Sequence, residues 1–142
     1  YNYQAVRSES GLCPSVWHVP SVQEWQMLHE SYGGDPEGVR ALIPADFLSS
    51  NPCDFEDAPV PVYDYGGSGL NLSALAHVDS YSGAISTGGD NIAIYWSSDL
   101  AGNSDFETGA RTVSLGACNT NIYFSVSTDQ FMGGHPIRCI KD

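Results

Sequence analysis

The spacing of apolar residues changes character from one segment of the chain to the next. From Tyr1 to Val6 the apolar and polar residues alternate, which predicts a first strand, and residues 7–10 read as a polar turn. The run G-L-C-P-S-V-W-H-V-P-S-V-Q-E-W at Gly11–Trp25 contains an extended piece at Trp17–Val19, ended by Pro20, which disfavours the helical region at Val19. Ser21 and Glu24 have the spacing of a capping box and predict a helix from there to about Ser31. Val22, Trp25, Leu28 and Tyr32 fall along one stripe of that helix, His29 lies at the stripe's edge, and Gly33-Gly34 stops it. Trp17 just before the turn and Trp25 just after it bring two indoles to one place, the predicted nucleus of the core. Asp35 at the N-cap, Pro36 at the first helical position and Glu37 in the first turn predict a second helix. Val39, Leu42 and Ile43 give it an apolar side before Pro44 closes it.

Residues 45–69 have no periodicity. Five prolines fall between Pro36 and Pro61, and Asp54, Glu56, Asp57 and Asp64 crowd the later part, so this is a long excursion of the kind that often carries function. Alternation returns at Leu70–Leu75, so that Asn71-Leu72-Ser73, formally a glycosylation sequon, reads more simply as strand. Turns follow at 81–83 and 88–91. The run I-A-I-Y-W-S-S at Ile92–Ser98 is the strongest strand signal, and shorter ones lie at 113–115, 122–126 and 137–140. No repeat, low-complexity tail or linker divides the chain, so residues 1–142 form one domain: two early helices, then short strands and many loops.

At 142 residues such a domain buries about two-thirds of its unfolded surface and holds a core without help from a metal. Gly, Ser, Asn, Asp, Pro and Tyr are abundant and Lys is scarce. The net charge is −12 with five basic residues in all, which repels nucleic-acid backbones and anionic membranes but leaves cationic ligands, metal ions and neutral sugars compatible. No run approaches the roughly eighteen apolar residues of a membrane helix. Tyr1 reads as interior sequence, so the chain is expected to begin inside or after a longer precursor. Cys13, Cys53, Cys118 and Cys139 are widely spaced with no C-x-x-C pair, which leaves out zinc and redox motifs. Their even number favours two disulfides and an oxidising compartment, with three pairings open.

Catalytic signatures are sparse. His18 suits a ring supporting the turn through a backbone carbonyl better than a base or ligand, and His77 and His135 are isolated. There is no H-E-x-x-H, no G-x-S-x-G and no histidine pair at helical spacing. No cofactor is expected. Calcium is the one ion the acidic residues could serve, through Asp54, Glu56 and Asp57 or Asp90 and Asn91, and these supply about half of the six to eight oxygens it takes.

Three motifs carry a family resemblance: G-L-C-P-x-x-W-H-V-P-x-x-x-E-W at Gly11–Trp25, Y-W-S-S at Tyr95–Ser98 and I-R-C-I-K-D at Ile137–Asp142. With Y-N-Y-Q-A at the start and L-S-A-L at Leu72–Leu75, the chain resembles the Fibrobacter succinogenes major paralogous domain over nearly its whole length. The resemblance implies an α+β, C-type-lectin-like fold, with helices on a small twisted antiparallel sheet and long irregular loops. It also implies kinship with formylglycine-generating enzymes and retroelement-diversified variable proteins, and a place among secreted or surface proteins and lipoproteins of Bacteroidetes and Fibrobacteres. Within it, Cys13 and Cys139 brace the two ends of the fold. The 45–69 excursion and the Ala117–Asn119 segment look like additions to the family core, tied together by Cys53 and Cys118. Formylglycine-generating enzymes use reactive cysteines held in a copper-binding site, whereas bracing accounts for all four cysteines here without chemistry.

The last third carries residues suited to adaptable recognition: Asn103, Asp105, Glu107, Arg111, Asn119, Asn121, Tyr123, Asp129 and Gln130. Aromatic faces supply contact area at low entropic cost and amides adapt their hydrogen bonds. The implied fold gathers these loops on one face. The expected function is therefore a non-enzymatic binding or adhesion module, extracellular or on the cell surface, for a protein or carbohydrate ligand. Nucleic acid and direct membrane insertion are excluded from that expectation, and the domain is expected to belong to a larger surface protein. Two alternatives stand beside it: a divergent enzyme of the formylglycine-generating branch, and a structural domain of a surface fibre or phage appendage.

Overall fold

A computed structural model of the chain describes residues 1–8, 11–44, 66–73, 77–78, 83–86, 92–101, 109–116, 121–127 and 133–142. Among the described residues three helices, α1 (Tyr3–Val6), α2 (Val22–Ser31) and α3 (Glu37–Leu42), accompany seven strands. These are β1 (Trp17–His18), β2 (His77–Val78), β3 (Ile85–Ser86), β4 (Ile92–Ala101), β5 (Gly109–Gly116), β6 (Ile122–Ser127) and β7 (Ile140–Lys141). All ladders are antiparallel: β4-β5-β6 is the main sheet, while β1-β7 and β2-β3 are two-stranded. The fold is α+β.

The main sheet packs side chains on both faces, and adjacent residues of one motif serve the two sides. Tyr95 packs with Trp25, Val39, Leu42, Ile43, Val113 and Leu115 beneath α2 and α3. Trp96, one residue on and therefore on the other face, packs with Tyr3 and Ala110, with Val6 and Ile137 at the margin. Trp25 meets Tyr95 at 5.9 Å between ring centroids, and Tyr3 meets Trp96 at 5.3 Å. Both buried indoles touch an aromatic ring, contacts that add about 0.5–1.5 kcal/mol each beyond the area they bury.

The capping box forms as predicted. Ser21 Oγ accepts from the Glu24 N–H, Glu24 Oε2 accepts from the Ser21 N–H at 2.8 Å, and α2 ends at Ser31 before Gly33 and Gly34, both at positive φ. The stripe is rotated from the predicted one: Trp25 and His29 are buried, whereas Tyr32 is an exposed cap residue.

The first segment, predicted as strand, is helix α1. Asn2 caps it by accepting from the Ala5 N–H at 3.0 Å, and Tyr3 and Val6 point into the core. In so short a run, i and i+3 spacing cannot be told from alternation.

Trp17 does not join the core nucleus; it is 42% exposed. It sits in a two-residue strand opposite Lys141, and the chain enters the core only at Val19 and Pro20. The second buried indole is Trp96, and it lies on the opposite face of the main sheet from Trp25.

Residues 70–73 are not strand either. Their segment returns to close the end of α3, whose last carbonyls have no partner within the helix. The Gly66, Ser68 and Leu72 N–H groups donate to the Arg40, Ala41 and Leu42 carbonyls at 3.1, 3.1 and 2.8 Å. Asn71 lies exposed at φ 49° while Leu72 is buried. The last predicted strand shrinks to β7, and just before it the Pro136 carbonyl accepts from the Trp96 N–H at the outer edge of β4.

The termini meet. The Tyr1 nitrogen donates to the His135 carbonyl at 3.0 Å, the Trp96 indole N–H donates to the Tyr1 carbonyl at 2.8 Å, and Cys13 is bonded to Cys139. The predicted end-to-end disulfide is present. Cys53 and Cys118 lie outside the described residues.

Candidate functional site

The register of the main sheet fixes where the three described ligand candidates, Arg111, Asn121 and Tyr123, lie on it. β5 is the central strand, and its eight residues span about 24 Å at the usual rise. Segment 102–108, which carries Asn103, Asp105 and Glu107, joins β4 to β5 between Ala101 and Gly109. The segment after Ser127, which carries Asp129 and Gln130, leaves from the same end, since Ser127 pairs with Ala110. Segment 117–120, with Asn119, joins Gly116 to Asn121 at the other end. Asn103, Asp105, Glu107, Asn119, Asp129 and Gln130 themselves lie outside the described residues.

The three described members divide in the same way. Tyr123 pairs with Ser114, and Arg111 pairs with Val126 three residues along. An odd spacing on a strand places residues on opposite faces, so Arg111 shares the helix-covered side with Val113 and Leu115 while Tyr123 is on the other. Asn121 and Tyr123, two apart, are brought together: the Asn121 amide donates to the Tyr123 hydroxyl at 3.4 Å, and Tyr123 is 44% exposed. Ile94 and Ser114 continue the row across the sheet, and Ile92 is exposed next along β4. Of the three described members, Arg111 therefore lies on the opposite face of the sheet from Tyr123, and the Asn121–Tyr123 pair stands at one end of it.

Asp35 holds that end in place. It was expected to cap α3, but Pro36 occupies the N-cap with no side-chain bond, and Asp35 Oδ1 instead takes the His29 Nε2 at 2.8 Å and the Ile122 N–H at 3.1 Å. One carboxylate thus ties α2 to the first residue of β6, beside Asn121. Gly38 makes room for His29: a Cβ there would lie 2.5 Å from the His29 carbonyl oxygen.

A second polar cluster surrounds His18. Its expected partner was a backbone carbonyl; its ring nitrogens instead meet two carboxylates, Nδ1 to Asp142 Oδ1 at 2.6 Å and Nε2 to Glu24 Oε1 at 2.8 Å. The Asp142 and Glu24 bonds raise the imidazole pKa above its ordinary value, although partial burial opposes this. The Ser21 backbone N–H lowers that of Glu24, with the Ser21 hydroxyl and His18 adding to it against burial.

Nearby, Asp99 Oδ2 accepts from the Val22 N–H at 2.6 Å and so meets the positive end of α2. Asp99 lies within a register shift in β4 between Trp96 and Leu100, where the Ser98 N–H also donates to the Pro20 carbonyl and the Ser98 carbonyl accepts from the Tyr3 hydroxyl. Nothing in the sequence marked Asp99, or the contacts that Asp35 makes to Ile122 and Asp142 to His18, because these join residues far apart in the chain. His135, expected to be isolated, packs edge-on against Trp96 at 4.6 Å.

Among the described residues no group of three or more His, Cys, Asp or Glu side chains could hold a metal ion. Asp54, Glu56, Asp57, Asp90 and Asn91, named for calcium, lie outside them. No described helix is long and apolar enough to cross a membrane. Cys13 and Cys139, joined to each other, are withdrawn from thiolate chemistry.

Comparison with curated proteins and with solved structures returned no match. The family described as the Fibrobacter succinogenes major domain matches residues 1–141, and the chain belongs to that family.

Proposed function

We propose that this domain is a binding module displayed outside the cell, C-type-lectin-like in organisation, that takes a protein or glycan ligand and does not transform it. The observation that carries this reading is the Asn121–Tyr123 pair, an exposed aromatic with a neighbouring amide on a strand whose backbone is fixed by a buried sheet. Tyr123 faces outward while Val113 and Leu115, on the other face of the adjoining strand, are fully buried. A rigid scaffold under an aromatic–amide surface lowers the entropic cost of recognition. The disulfide across the ends of the chain supports an oxidising, extracytoplasmic setting. The net charge of −12 makes nucleic acid and anionic lipid poor partners.

Screening the domain on glycan and protein arrays tests the proposal. Tyr123→Ala and Asn121→Ala are expected to weaken every hit at least tenfold, while Arg111→Ala, on the other face, leaves them unchanged. Hits that survive both substitutions, or that depend on Arg111 alone, would refute the placement.

A further inference from the structure

We propose that His18 is a pH-operated latch: as an imidazolium it fastens residues 140–142 to β1 and α2 at once, and as a neutral imidazole it releases Asp142. Its geometry leads there directly. A neutral imidazole has one N–H and one bare nitrogen, and an ionised carboxylate only accepts hydrogen bonds. Both ring nitrogens of His18 lie within 2.8 Å of a carboxylate oxygen. Only the doubly protonated ring satisfies both contacts; deprotonation leaves a nitrogen lone pair against a carboxylate oxygen.

The two partners are not held equally. Glu24 is fixed by its other oxygen, which accepts from both the backbone N–H and the hydroxyl of Ser21 at 2.8 Å. Asp142 is more exposed and follows a strand of only two residues, its own N–H donating to the Val16 carbonyl at 3.0 Å. Cys139 is pinned to Cys13, so release starts beyond it, at residues 140–142. Those residues cover the edge of β1, where Trp17 pairs with Lys141.

The charged groups around the ring account for the pH window. Glu24 comes from α2 and Asp142 from the segment after β7. Asp99 of β4 is engaged at the first N–H of α2, and Lys141 lies on the other face of the β1-β7 ladder, opposite Trp17. His18 titrates above its ordinary value of 6.5 in the folded chain. The latch is therefore fully closed below that value and opens as pH rises through the raised one. On the acid side Glu24, held below its ordinary 4.5, keeps its charge into more acidic solution than a free carboxylate.

The test is an NMR titration of the imidazole in the folded chain, with amide exchange at residues 140–142 corrected for the intrinsic rate. The expected result is a His18 midpoint above 6.5 that falls towards it in Asp142→Asn. The Asp142 amide should lose about two- to fivefold in protection across that midpoint, the range set by an exposed ion pair. The Trp96 amide, bonded to Pro136, should be unaffected. His18→Gln, which retains polar contacts without titrating in this range, should abolish the pH dependence of Asp142 exchange. An ordinary His18 midpoint, flat protection at residue 142, or pH dependence that persists in His18→Gln would each overturn the proposal.

Discussion

Replacing Gly38 by alanine sets helix propensity against packing, and the structure says which prevails. Gly38 lies inside α3, where alanine is favoured by about 1 kcal/mol because it restricts the unfolded chain. Considered as an isolated helix, Gly38→Ala stabilises. In the folded chain the added Cβ would lie 2.5 Å from the carbonyl oxygen of His29, 2.6 Å from its Cδ2 and 3.1 Å from its Nε2. The first of these is backbone of another helix, so no side-chain rotation relieves it, and α2 and α3 must separate. Overpacking of this kind costs about 1–3 kcal/mol, and more where backbone has to move. Separation also strains the 2.8 Å bond from His29 to Asp35, which anchors the start of β6. The expected outcome is a net loss of about 1–2 kcal/mol, a fall in Tm of about 2–4 °C for each kcal/mol in a domain of this size. Guanidinium and thermal unfolding followed by tryptophan fluorescence give the sign, and the His29 ring resonances report the helix contact. A Tm equal to or above that of the unmodified chain would show that α2 and α3 do not approach as closely as described.

Ser21→Ala removes the hydroxyl half of the capping box and should cost about 1 kcal/mol, read as a shift in denaturation midpoint at constant slope. Replacing Cys13 and Cys139 together by serine opens a bridge of sequence separation 126, which should cost about 5 kcal/mol by chain entropy; the variant's midpoint should approach that of a reduced chain. Burial pushes the Tyr95 phenol up to about 12, against an opposing effect of Arg138. The folded state therefore holds its proton where the unfolded chain has lost one, and stability should be intact below pH 10 and decline as pH climbs towards 12. Tyr95→Phe should flatten that decline and cost about 0.5–1.5 kcal/mol through the lost bond to the Ser73 carbonyl. Asp35→Ala should speed exchange of the Ile122 amide, its bonded partner, and leave the Trp96 amide unchanged.

The residues that could be read directly are those whose partners lie within a few positions of them. Ser21 and Glu24 cap α2, Gly33 and Gly34 stop it, and the run from Ile92 makes the first strand of the main sheet. The cysteine pairing was legible only through the family resemblance. For the proposed recognition residues the sequence offered a list without an arrangement. Arg111 and Tyr123 look equivalent in a list of polar and aromatic residues, and only the register of β5 with β6 puts them on opposite faces.

What the sequence by itself determined was therefore local: the cap and the stop of α2, the strand that runs from Ile92, the sign of the net charge and membership in a family. Tertiary structure alone decided that Tyr3–Val6 turns into helix to reach Trp96 and that Trp17 stays outside the core. It also turned the segment after Gly66 into a cap for α3, and made His18, Asp35 and Asp99 into cross-links between distant elements. The physical reason is common to all of these. A backbone carbonyl, a carboxylate or an indole left over by its own neighbourhood takes whichever distant group the packed chain brings within reach, and that choice is made only when the helices and the sheet close on one another.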